Sequence, residues 1–112
     1  MIWMVDEVET KPGQGQAFLA AYREHYVPGA TARGLRLIKE MVEPAMWLDE
    51  ASNRLLLIWE TDSAGAVWAA KHRARGDEAV IRWWTEQAPE FLISRRRYTM
   101  APADALEALD NV

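Results

Sequence analysis

Two histidines and three tyrosines hold most of the proton-transfer capacity near neutrality in this chain of 112 residues, and three of those five cluster. Tyr22, His25 and Tyr26 follow Phe18 and Leu19 at three- and four-residue spacing. On a helix that spacing puts an imidazole beside two phenols on one face. Histidine titrates near neutrality and moves protons when positioned, so His25 is the expected principal acid/base group, with Tyr22 and Tyr26 as its neighbours. The structural alternative is a histidine at a helix end, bonded to backbone near Pro28. His72 lies one helical turn after Trp68, near an expected helix C-terminus, where the helix dipole alone favours a cation. With Arg75 it could also steady negative charge on a substrate.

Other chemistries are excluded by what is missing. The chain has no cysteine, hence no thiolate nucleophile, disulfide or cysteine-ligated metal. Its two histidines stand far apart with no HxH or HExxH spacing, so no metal site is expected, and no GxGxxG, P-loop or nucleophile elbow appears. No cofactor is expected. Thirteen basic against seventeen acidic residues, net charge -4, leave nucleic acid without an electrostatic footprint. The first apolar run ends at Asp6, too short for a signal or a membrane span, so the expectation is a cytoplasmic protein with no membrane partner.

Those residues need a scaffold. Ile2 to Glu9 reads as a strand, and Lys11-Pro12-Gly13 as the turn after it. Gln16 to Tyr26 carries one apolar helical face and ends at Pro28-Gly29. Leu35 to Val42 and Asn53 to Thr61 read as strands two and three, joined by a loop, Pro44 to Ser52, whose Met46 and Trp47 could close over a pocket. Asp62 or Ser63 caps a helix to Arg75; Gly76 and Asp77 break it, and a further stretch runs from Glu78 to about Gln87. Phe91 to Met100 is the last strand, and Ala101 to Val112 a tail dispensable for the core. The order βαββαβ, with a broken second helix, makes an α+β ferredoxin-like domain over residues 1–100: a four-stranded antiparallel sheet with helices on one face. Leu56 and Ile58 alternate with Leu55, Leu57 and Trp59, so strand three is apolar on both faces, and a second copy is the simplest cover. A homodimer is expected.

Strand Ile2-Trp3-Met4-Val5, strand Leu55 to Glu60 leading into a helix, and the stretch His72 to Trp84 before Arg97-Tyr98 resemble the dimeric α/β-barrel superfamily. That superfamily includes antibiotic-biosynthesis monooxygenases, haem-degrading monooxygenases, polyketide cyclases and NIPSNAP-like proteins. Haem-degrading members place an asparagine late in strand one, a tryptophan ending strand three and a later histidine; here Glu7 and Trp59 stand at the first two places and no clear histidine at the third, so haem is not implied. Where the cyclases have His-Pro-Ala-His, this chain reads His72-Arg73-Ala74-Arg75. If the family's register holds, Trp3, Glu7 and Trp59 share a strand face opposite helix one.

Six tryptophans exceed what a small core needs, so some should line a pocket. Trp3, Glu7, Trp47, Trp59, Trp68, Arg75 and Trp83 are the expected substrate-binding residues. The function expected is a cofactor-free enzyme that isomerises, cyclises or cleaves an apolar aromatic or polycyclic oxygenated molecule by proton transfer. The alternatives are a cofactor-free monooxygenase and a non-catalytic ligand-binding or structural dimer. Arg95, Arg96 and Arg97 alternate along a strand and are expected to pair with Asp6, Glu7 and Glu9 of strand one.

Overall fold

Strand β1, Ile2–Thr10, alternates: Met4, Asp6, Val8 and Thr10 are buried, while Trp3, Glu7 and Glu9 on the other side are half-buried. The computed structural model describes residues 1–106 and joins β1 antiparallel to β3, Arg54–Thr61, on one side and to β4, Leu92–Met100, on the other. Strand β2, Arg36–Glu43, pairs with β3 at the edge, giving the order β2-β3-β1-β4. This is the expected four-stranded antiparallel sheet, with the last strand beside the first.

Helix α1, Gly15–His25, turns Phe18, Leu19 and Tyr22 onto the sheet. Gly15 is required there because a Cβ would lie 2.9 Å from the Asn53 side chain and 3.0 Å from the Trp47 ring. Helix one ends ahead of Pro28-Gly29, as expected, but Pro28 does not lead into a loop. It sits in the first turn of a new helix, α2, Val27–Ala32, where a missing N–H costs nothing. Gly34, at φ +97°, then turns the chain into β2 and leaves Arg33 at the end of α2.

The second helical stretch is broken as expected. Helix α3, Ala64–Arg75, is capped by Ser63, whose hydroxyl accepts from the Ala66 N–H. Helix α4, Glu78–Arg82, is capped by Asp77 and passes into a π turn at Trp83–Gln87 and a 3-10 turn at Ala88–Glu90. The core lies between sheet and helices, built on Met4, Val8, Phe18, Tyr22, Tyr26, Leu55, Leu57, Trp59 and Trp83. On the opposite sheet face Leu56 and Ile58 are half-buried, and Val5 is enclosed between its neighbours Ile58 and Tyr98. No helix among the described residues is long and apolar enough to cross a membrane. A 3-10 turn at Ala103–Leu106 begins the tail, and Leu109 lies outside the described residues.

Candidate functional site

Asp6 is the charged member of the inward-facing row of β1 and has no exposed surface. A buried carboxylate must be paired and hydrogen-bonded to persist. Its partners come from two elements. From β4, directly across in the ladder, Arg97 donates from Nε to Oδ1 at 2.6 Å and from Nη2 to Oδ2 at 3.0 Å. From α1, the Tyr22 hydroxyl donates to Oδ2 at 2.8 Å and accepts from Trp59 Nε1 of β3 at 2.7 Å. Burial, and then the charge of Asp6, push the Tyr22 phenol well above its ordinary pKa, so it stays a donor. Burial works against the charge on Arg97, but the adjoining Asp6 more than offsets it and holds the guanidinium cationic.

The network continues to Tyr26, just past α1, whose hydroxyl oxygen accepts from Arg97 Nη2 at 2.8 Å and from Arg33 Nη2 at 3.5 Å. Tyr26 and both arginines border a cavity of about 410 Å³ between the sheet and α3–α4. Its apolar walls are Met4, Leu35, Val67, Ala70, Val80 and Trp84. Lys71 and Arg75 of α3 complete its charged lining, and neither a carboxylate nor an imidazole is among the described residues that line it. Two residues of this wall carry three buried donor atoms, Arg33 Nε, Arg33 Nη1 and Trp84 Nε1, that have no hydrogen-bond partner among the described residues. An unmet buried donor costs about 1–3 kcal/mol, so a wall holding three favours a ligand that brings acceptors.

The expected site residues divide on this geometry. Tyr22, Tyr26 and Trp59 meet in the network, and Tyr26 and Arg75 reach the cavity. His25 does not join them. At 100° per residue it falls on the flank of the stripe formed by Phe18, Tyr22 and Tyr26, so its side chain is 42% exposed and stacks on the outside of Trp83 at 6.2 Å. His72 is exposed on α3 and does not line the cavity.

The expected wall of Trp3, Glu7 and Trp59 is also corrected. Trp59 pairs with Met4, so it shares the helix-facing side with Asp6, while Trp3 and Glu7 point to the other face. Trp83 is fully buried against Phe18 and Tyr22 in the core. Trp47 packs at the start of α1 from within a loop whose Glu43, Met46 and Leu48 backbone the Asn53 side chain holds, and it lines no part of the cavity. Trp68 is 66% exposed and borders a smaller hollow with Ile2 and Leu106.

Asp6, Arg33, Trp84 and Arg97 were not among the expected site residues. Asp6 left one trace in the sequence: a charge in the row Met4, Asp6, Val8, whose other members are core residues.

The sheet order, the helices on its one face and the break after α3 decide the architecture. The chain has the ferredoxin-like fold of NIPSNAP domains. A NIPSNAP domain protein from Burkholderia xenovorans superposes with a TM-score of 0.72 at 17% identity, over 92% of this chain and 95% of the other. A NIPSNAP family protein from Agrobacterium tumefaciens gives 0.70 at 16%, over 92% and 93%. A candidate antibiotic biosynthesis monooxygenase from Nitrosomonas europaea gives 0.63 at 12%, over 92% and 99%. At these identities the likeness to NIPSNAP domains concerns the fold. No family model and no curated protein sequence matches the chain.

Proposed function

We propose that the protein is a cofactor-free enzyme that takes a small, apolar, aromatic oxygenated molecule into the cavity and acts on it by proton transfer at Tyr26. The observation that carries this reading is Tyr26, a residue that borders the cavity and whose hydroxyl oxygen is engaged by Arg97 at 2.8 Å. An oxygen that accepts from Arg97 leaves its own proton for a substrate oxygen. As that proton moves, the negative charge developing on the phenol is stabilised by Arg97 and Arg33, which are already in place and need no reorganisation. The phenolate left behind then takes the proton from the activated carbon beside that oxygen, which leaves the enol and regenerates the phenol, so one residue serves as acid and then as base. Asp6 and Tyr22 hold Arg97 in position from behind and touch no substrate. Isomerisation or cyclisation of an enolisable compound needs this kind of oxygen activation. A filled interior would have favoured a purely structural dimer, whereas about 410 Å³ lies open against Tyr26.

The unit is proposed to be a homodimer joined through the helix-free sheet faces, where Trp3, Leu56, Ile58 and Met41 form an apolar surface.

Binding is tested with 2-tetralone, a neutral aromatic ketone, followed through methyl resonances. Saturable shifts at Val67, Val80 and Leu35 are the expected result. Shifts confined to Leu56 and Ile58 on the opposite sheet face would contradict it.

A further inference from the structure

The charge balance of the cavity goes further than its size. Arg33, Lys71, Arg75 and Arg97 all line it, with no carboxylate among the described lining residues. The charge on Arg97 is matched by Asp6, whose two oxygens it holds. Arg33 is matched only loosely, by an ion pair with Asp77 that includes no hydrogen bond. It is only 7% exposed, its Nε and Nη1 lack hydrogen-bond partners, and its Nη2 reaches Tyr26 at a long 3.5 Å. The nearest carboxylate, Asp77 Oδ2, stands 3.7 Å from Nη1, beyond hydrogen-bond distance, while Asp77 Oδ1 caps α4 by accepting from the Ala79 and Val80 N–H groups. The backbone beside the guanidinium is fixed, since the Arg33 carbonyl accepts from Arg73 of α3. Trp84, whose Nε1 is also unpartnered, lines the same cavity.

Resting on the reading of the cavity as a small-molecule site, we propose that its ligand is an apolar aromatic acid and that Arg33 is the residue that receives the carboxylate. A buried cation with unused donors selects a carboxylate over a neutral group of the same shape, because its hydrogen bonds to a charged acceptor are roughly twice as strong as those to a neutral one. Lys71 and Arg75 attract the same charge from α3. Arg33 thus determines specificity, while Tyr26 remains the residue that meets the reacting oxygen.

The test compares 1-naphthoate with 1-naphthamide, which share shape and differ in charge, at near-neutral pH. Binding is read from the Val67 and Val80 methyl shifts and from the side-chain ¹⁵Nε resonance of Arg33. Expected is about tenfold or more tighter binding of the naphthoate, with movement of the Arg33 Nε signal that the amide does not reproduce. Arg33→Met should weaken naphthoate more than naphthamide and so remove most of the preference. Should that variant fail to fold, the wild-type Nε shift decides alone.

Equal affinities, or tighter naphthoate binding with an unmoved Arg33 Nε signal, would overturn the carboxylate assignment and leave the cavity reading standing. If neither compound moves the cavity methyls, both readings fail together.

Discussion

Asp6 and Arg97 face one another across β1 and β4, joined by two hydrogen bonds of 2.6 and 3.0 Å, the carboxylate wholly buried. Removing one partner strands the other. Asp6→Ala should therefore destabilise the fold by about 3–5 kcal/mol in urea titrations, and Asp6→Leu combined with Arg97→Met should recover much of that loss. Additive losses in the double variant would show that the pair is not coupled.

Tyr22 links that pair to Trp59. Burial raises its pKa well above the ordinary phenol value, so above about pH 10 the unfolded chain releases a proton that the folded chain keeps. Stability should then fall as pH rises through this range. Tyr22→Phe should be weaker by about 1–3 kcal/mol at neutral pH, because Trp59 Nε1 loses its acceptor, and should lose less stability on going alkaline. An identical alkaline loss in both proteins would place its source elsewhere.

Ile58 lies beside Val5 on the face away from the helices. For a dimer joined there, Ile58→Glu buries an unpaired charge and should separate the copies. Sedimentation should give twice the chain mass for the wild type at micromolar concentration and one chain mass for the variant. A wild-type monomer would contradict the proposed interface.

Ending the chain after Met100 removes the Ala103–Leu106 turn and little of the core. Thermal melting should stay cooperative, with a modest loss from uncovering Ile2 and Trp68. Collapse of the transition would make the tail integral.

These outcomes bear on how far the sequence could be read. The helical spacing of Phe18, Tyr22 and Tyr26 and the break at Gly76-Asp77 are local patterns, and they were legible. So was the pairing of Arg97 with the acids of β1, since neighbouring strands bring opposite charges together. The face carrying Trp3 and Glu7 was misread because a slip of one residue in a strand reverses every side chain, and periodicity does not say which face meets the helices. His25 shows the same weakness on a helix, where the edge of an apolar stripe is set by what packs there. Arg33 left no local signal at all. Its burial follows from Gly34 turning the chain and from α3 and α4 closing over the end of α2, contacts between segments far apart in sequence.

The most direct test of proton transfer at Tyr26 is the exchange of the activated hydrogens of 2-tetralone for deuterium, followed by NMR in D2O. Wild-type protein should accelerate exchange over buffer. Tyr26→Phe should lower the protein-dependent rate by about 10²-fold or more with the fold intact, and His25→Ala should leave it unchanged. Full exchange in Tyr26→Phe, or its loss in His25→Ala, would contradict the assignment of the proton to Tyr26.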